Sequence, residues 1–415
     1  MNLMQQLKQG GRPVILDGAT GMNLQKAGMP AGVCPEQWTL EHPDVLKTLQ
    51  RAFVQAGSNA VYAPTFGANR VKLRQYGLEG RTAEMNRALV ALSREAVGDG
   101  VAVGGDMASL GLFIEPFGDA SFADIVEIYR EQAQALADAG VDFFVAETLM
   151  QLFEARAALL AVRSVSDKPF FASVTLEQNG RMLGGSEPLA ALAVMQGMGA
   201  DAFGINCSNG PAEIARILSE LAPYTEIPLL AKPNAGLPET APDGCAHYHM
   251  TPAEFASFAP QFASAGVSLL GGCCGTEPAH IAALAAAAQT PSCQTPAPMI
   301  LTASEKTAFC FSEMPALSEP INASDDLADA IADCEADEGE LVCIRLSDET
   351  DVDDLLENVF QLANPICLMA SDEALLETAL RNYQGRACFV YNGTNPEAAA
   401  ALSKRYGAVC CCKGE

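Results

Sequence analysis

Three cysteines stand where chemistry is expected. Cys207 closes the run Gly204-Ile205-Asn206-Cys207-Ser208, and the adjacent pair Cys273-Cys274 closes Gly271-Gly272-Cys273-Cys274-Gly275-Thr276. Each follows an apolar stretch that reads as a buried strand. If those strands belong to one barrel of parallel strands, the three thiolates meet at one mouth, because the C-terminal strand ends share a face. Three thiolates with a fourth position open is the zinc arrangement of a catalytic site, whereas a structural zinc is closed by four protein ligands. Such an ion binds a thiol substrate as its thiolate, and a free thiol, with a pKa of about 8.5, is a good nucleophile only in that form. A single cysteine at a strand end is more often a small packed apolar residue. The glycine-flanked pair, with a third ligand elsewhere, lifts this set above that reading.

Two carboxylates join them. Asp17, in Asp17-Gly18-Ala19-Thr20-Gly21, ends the first apolar run, and Glu147, in Glu147-Thr148, ends the fourth. Both should face the same opening, with a cationic group between them. The glycine-bracketed turn after Asp17 offers backbone N–H groups to a carboxylate. Together these describe a pocket for the ammonium and carboxylate of an amino acid whose thiol points at the metal. Structural carboxylates bonding strand-end amides are the competing reading. The remaining cysteines, Cys34, Cys245, Cys293, Cys310, Cys334, Cys343, Cys367 and Cys388, lack metal-ligand spacing and read as packing or surface residues. Cys410-Cys411-Cys412 could bind metal, but consecutive strand residues point to opposite faces. His247 and His249 flank Tyr248 in a segment that reads as a solvated loop, with a second metal site as the alternative.

The elements that must position these residues are legible as a repeat. Eight short apolar or small-residue runs precede residue 275: 14–20, 60–65, 101–107, 143–149, 170–176, 202–208, 228–235 and 267–274. Most are separated by segments with helical spacing, at 43–56, 82–97, 122–139, 152–165, 211–221 and 252–265. Eight alternations predict a (β/α)8 TIM barrel. A doubly wound open sheet alternates in the same way, and the count of eight favours closure. After a last helix over 278–288, the segment Gln289-Thr290-Pro291-Ser292-Cys293-Gln294-Thr295-Pro296 reads as a linker. The expected organisation is a barrel over 1–292, a linker and acidic segment over 293–339, and a small α/β domain over 340–415. The last part should have strands at 341–346, 365–369, 387–391 and 408–412, enough for half a barrel or a small open sheet.

Composition sets outer limits. The chain has 415 residues, 49% of them hydrophobic and 18% charged, which suits a globular protein with a large core. Its net charge of −26 argues against nucleic acid and anionic membranes as partners. Residues 301–415 carry 22 Asp+Glu against 7 Lys+Arg, so the acidic excess is concentrated there. No run reaches the 18 or so apolar residues of a membrane span, and the N-terminus lacks a signal-peptide pattern. A cytoplasmic, reducing location is expected, where 14 cysteines are thiols and metal ligands rather than disulfides.

Six sequence blocks in order carry a family resemblance: residues 17–21, Thr65-Phe66-Gly67-Ala68-Asn69, Glu147-Thr148, residues 204–208, Pro233-Asn234-Ala235-Gly236 and residues 271–276. Residues 10–290 resemble the homocysteine S-methyltransferase family, most closely the homocysteine-binding module of cobalamin-dependent methionine synthase. The resemblance implies a zinc ion held by Cys207, Cys273 and Cys274 and completed by the homocysteine sulfur. It implies that Asp17 and Glu147 bind the amino group, that backbone at Ala19 and Thr20 holds the carboxylate, and that Asn206 and Asn234 shape the mouth. The expected reaction is methylation of homocysteine to methionine, with a methyl-corrinoid (methylcobalamin) on another domain or protein as donor. Betaine, S-methylmethionine or methyltetrahydrofolate as donor, another thiol acceptor, or a non-catalytic thiol-binding partner of a corrinoid protein are the alternatives. The only tryptophan, Trp38, does not fall where the aromatic of a betaine pocket is expected. Residues 340–412 resemble part of the pterin-binding barrel that follows this module, too short for a complete one.

Overall fold

The computed structural model describes residues 3–9, 11–115, 117–240, 246–292, 299–323, 326–334 and 340–411. Eight strands form the first sheet: β1 (Val14–Ile15), β2 (Ala60–Tyr62), β3 (Ala102–Ala108), β4 (Phe143–Leu149), β5 (Phe170–Val174), β6 (Ala202–Asn206), β7 (Leu229–Lys232) and β8 (Val267–Leu270). All neighbours pair in parallel, in the order β1-β8-β7-β6-β5-β4-β3-β2. The seam between β1 and β2 is closed through Asn59 and Asp17. Asn59 donates its N–H to the Ile15 carbonyl and accepts from the Ile15 N–H through Oδ1, and Asp17 Oδ2 accepts from the Tyr62 N–H at 2.8 Å. This is the (β/α)8 TIM barrel that the eightfold alternation predicts.

Strand periodicity sorts the core into two layers. Val14, Leu16, Tyr62, Phe143, Val145, Phe171, Leu230 and Leu269 fill the interior, and Leu3 of the N-terminal helix Leu3–Gln9 packs with them. The alternate residues, among them Ile15, Val61, Phe144, Phe170, Phe203 and Leu270, face the helices. Helices α1 (Pro43–Gln55), α2 (Thr82–Val97), α3 (Phe122–Asp138), α4 (Leu152–Arg163), α5 (Pro188–Gly197) and α6 (Pro211–Leu221) lie outside the strands. The helix expected over 252–265 is two, Pro252–Ala256 and Ala259–Ser264, because Pro260 has no N–H with which to continue the first.

The remainder folds as a second parallel sheet. Residues 299–323, read from the sequence as linker and acidic segment, carry an antiparallel hairpin, β9 (Ile300–Ala303) with β10 (Ala308–Phe311), and two short strands, β11 (Ala316–Leu317) and β12 (Ile321–Asn322). Strands this short have too little alternation to be read from sequence. They join β13 (Glu340–Arg345), β14 (Ile366–Ala370), β15 (Cys388–Tyr391) and β16 (Val409–Cys410) in the order β11-β13-β14-β15-β16, with β12 also on β13. Helices α7 (Glu349–Asn358), α8 (Glu373–Asn382) and α9 (Pro396–Tyr406) supply, with the strands, a core of their own. Three cysteines that look scattered in sequence are in register here: Cys343 opposes Cys367, which opposes Cys388, and all three are completely buried. Cys411 packs on the same cluster, whereas Cys245, Cys293 and Cys412 lie outside the described residues.

This half-barrel is pinned to the barrel by a buried arginine. Arg156 of α4 donates to the carbonyls of Gly385 at 2.7 Å, Leu380 at 3.0 Å and Arg381 at 3.2 Å. Arg386 pairs by backbone with Ala303 and donates its Nε to the Gly407 carbonyl.

Candidate active site

The three cysteines do meet. Among the described residues, Cys207, Cys273 and Cys274 are the one group of potential ligands whose donor atoms all lie within 4.8 Å of one another. The Cys207 and Cys274 sulfurs are 3.9 Å apart, close to the roughly 3.8 Å that two thiolates span across a tetrahedral zinc with bonds of about 2.3 Å. The donor set therefore fits a zinc ion with one open position. Without metal, the neighbouring Cys273 and Cys274 thiols pull the Cys207 pKa down to about 3, helped by the Ser208 N–H and the Asn234 amide. The same contacts push Cys274 up to about 11 and Cys273 well above the usual thiol range. A divalent cation would bind the three sulfurs as thiolates.

The backbone that presents them is unusual. Cys207 and Ser208 adopt positive φ values of 60° and 51°, and Thr148, next to Glu147, has φ 57°. For a β-branched residue this conformation costs of the order of 1–3 kcal/mol. Asn206 sustains it: its Oδ1 accepts from the Thr148 N–H at 2.9 Å and the Ser173 hydroxyl at 2.8 Å, and its Nδ2 donates to the Thr148 hydroxyl at 2.7 Å. The same Nδ2 is 3.9 Å from the Cys273 sulfur. Asn206 so couples the end of β4 to the thiols. Asn234 is buried, and its amide reaches Cys207.

A cavity of about 390 Å³ opens beside the sulfurs, lined by Asp17, Ala19, Thr20, Met22, Phe66, Asp106, Glu147, Cys207, Lys232, Cys273 and Cys274 among others. The expected cation between Asp17 and Glu147 is present, and it belongs to the protein. Lys232, at the end of β7, places Nζ 3.2 Å from Asp17 Oδ1, 3.4 Å from Glu147 Oε2 and 3.7 Å from the centre of the Tyr62 ring. Gly271 makes this possible, since a Cβ there would lie 3.1 Å from Lys232 Cγ and 2.8 Å from the Asp17 carbonyl oxygen. Burial opposes the lysine charge, but Glu147 and Asp17 outweigh it and hold its pKa well above the usual value. Burial raises Asp17 and Glu147, with Lys232 acting against that rise, and it raises Asp106 further, reinforced by Glu147.

Other expected residues keep company that the sequence did not show. The Ala19 N–H, expected to be open to a substrate carboxylate, donates to Thr276 Oγ1 at 3.1 Å. His247 and His249 are exposed; His249 faces Glu239 at 3.3 Å, and the pair does not assemble a metal site among the described residues. Tyr248 between them is the useful residue, for its hydroxyl bonds the Cys274 sulfur. Gly275, at φ 80°, accommodates it, as a Cβ there would lie 2.4 Å from Tyr248 Cβ. Trp38 stacks on His42 and packs with Leu24 and Met29; Leu24 lines the cavity, whereas Trp38 is not among the described cavity-lining residues.

Against this geometry, a profile for homocysteine S-methyltransferases matches residues 14–288. The chain belongs to the homocysteine S-methyltransferase family. It is 37% identical over 295 residues to a methionine synthase of Mycobacterium tuberculosis, a match covering 66% of this chain and 24% of that protein. A methionine synthase of Mycobacterium leprae is 34% identical over 304 residues, covering 69% of this chain and 25% of the other. The chain therefore matches about a quarter of the length of these curated relatives. The homocysteine methyltransferase MmuM from Escherichia coli, in its metallated form, superposes with a TM-score of 0.58 at 24% identity over 68% of this chain and 98% of that one, which supports the family's barrel fold. No helix among the described residues is long and apolar enough to cross a membrane.

Proposed function

We propose that this chain is a thiol S-methyltransferase that methylates homocysteine to methionine at a zinc ion held by Cys207, Cys273 and Cys274. The observation that carries the reading is the meeting of three sulfurs with buried carboxylates in one cavity at the barrel mouth. When bound, zinc supplies the stabilisation that keeps the substrate thiol as thiolate at neutral pH. Asn206 and Asn234 hold the ligands in place, Tyr248 steadies Cys274, and the carboxylates around Lys232 favour an ammonium-bearing substrate. Ala19 and Thr20 line the side of the cavity assigned to the substrate carboxylate. The substrate sulfur takes the methyl carbon in line, and the donor leaves with the electron pair of the broken bond. Positioning and thiolate formation are what the protein contributes.

The donor is read as a methyl-corrinoid carried on another domain or protein, on the motif resemblance and on Trp38 not being among the described cavity-lining residues. The extension over 340–415 is read as a half-barrel that packs on the catalytic barrel. The test is methionine formation from homocysteine with methylcobalamin, betaine, S-methylmethionine or methyltetrahydrofolate, with metal content measured before and after chelation. Activity with methylcobalamin that is lost on chelation and restored by zinc is expected. Silence with all four donors would overturn the reading.

A further inference from the structure

Three buried polar atoms of residues that line the cavity have no hydrogen-bond partner, Tyr62 Oη, Asp106 Oδ1 and Glu147 Oε2, and a fourth, Asn234 Oδ1, belongs to a residue beside Cys207. Folded proteins partner nearly all such atoms, so unpartnered ones gathered at a cavity mark where a ligand makes its contacts. Asn234 reaches the thiol end through its amide. The other three are a hydroxyl and two carboxylates, the groups that receive a cation.

Lys232 does not satisfy them all. Asp17 is fully engaged, with one oxygen on the Lys232 ammonium and the other on the Tyr62 N–H. Glu147 Oε2 lies 3.4 Å from that ammonium without hydrogen-bond geometry. Asp106 has its backbone tied on both sides to the Thr65 hydroxyl, while its Oδ1 is left free. Asp106 opposes Val145 in the β3–β4 register, and Ala108 opposes Glu147. The two carboxylates therefore share the inward face of neighbouring strands, two residues apart. Three buried carboxylates face one ammonium in a dry pocket, and a second cation there would stabilise the charged forms that burial disfavours.

We propose that Asp106 is a substrate-binding residue that, with Glu147, receives the ammonium of the amino-thiol, while Lys232 is a fixed counter-ion that keeps Asp17 out of that contact. This rests on the homocysteine reading of the site and names the groups that recognise the substrate's α-ammonium.

The test is calorimetric binding of homocysteine and of 4-mercaptobutanoate, the same thiol without its amino group, to the zinc-loaded protein and its Asp106→Asn form. The wild type should bind homocysteine about tenfold to a hundredfold more tightly than the analogue, the value of a buried hydrogen bond to a charged group. Asp106→Asn should bring the two thiols to within about threefold by weakening homocysteine alone, with the analogue bound as before. Unchanged binding of the analogue reports an intact fold and thiol site, which a merely structural role for Asp106 would not leave. An Asp106→Asn protein that keeps the wild-type preference overturns the assignment to Asp106 and leaves the homocysteine reading standing. A wild type that binds neither thiol overturns both.

Discussion

Replacing Lys232 by Met would leave Asp17 and Glu147 buried without the ammonium that lies 3.2 and 3.4 Å from them. Breaking a buried ion pair from one side costs about 3–5 kcal/mol, so the urea midpoint of Lys232→Met should fall well below that of the wild type. Asp106 predicts the opposite sign. Its carboxyl titrates in the folded protein well above its ordinary 3.8, because burial and the neighbouring Glu147 disfavour the charge. As pH rises through that interval the unfolded chain releases this proton first, the folded chain binds more protons, and stability falls. Asp106→Asn should therefore be more stable than wild type at pH 8, with the gain vanishing as pH approaches 3.8. Equal midpoints at both pH values would contradict a charged, unpaired Asp106. Cys207→Ala should lose zinc and methyl transfer together, because two thiolates remain where three are set; normal activity with no bound metal would remove the metal mechanism. The thiols were legible because glycines flank them at strand ends. Asp106 was hidden inside a run that reads as buried strand, and Lys232 sits in Ala231-Lys232-Pro233-Asn234, where nothing local marks a lysine that reaches across the barrel.

At the scale of elements, alternation was readable because each barrel strand is buried on both faces and shows as a short apolar run. Helix α5 was not. It is apolar on nearly every side, with Ala190, Ala191, Leu192, Ala193, Val194 and Met195 all buried, so it lacks the polar stripe that marks a helix between strands. The hairpin β9–β10 packs on its outer side and removes the solvent-facing surface. The turn after β4 carries the sharpest local prediction. Thr148 at φ 57° is held by the Asn206 amide on both its N–H and its hydroxyl. Asn206→Leu should release it, shifting Glu147 from the cavity wall and the Cys273 sulfur from its neighbours. We expect a fall of about a hundredfold in kcat/KM together with weaker zinc retention, read by competition with a chromophoric chelator. Retained affinity for zinc with full activity would show that the asparagine only fills space.

The whole molecule joins a complete barrel to a half-barrel through α4. Arg156 directs its guanidinium to three carbonyls of the second unit, with no ion-pair partner among the described residues, and burial lowers its pKa to about 10. Arg156→Leu would strand those carbonyls, a penalty of about 1–3 kcal/mol for each one left buried. Thermal unfolding of the variant should then resolve into two transitions, the half-barrel melting first, whereas a single unchanged transition would mean that the pin carries little. The surface of α4 sets a boundary condition for engineering. A barrel cut free at residue 292 would expose Arg156 beside the apolar Leu160, which packs on the second core. Portability of the thiol-activating unit is thus decided on the far side of the helix from the chemistry, and a transplantable version begins with redesign of α4 rather than of the active site.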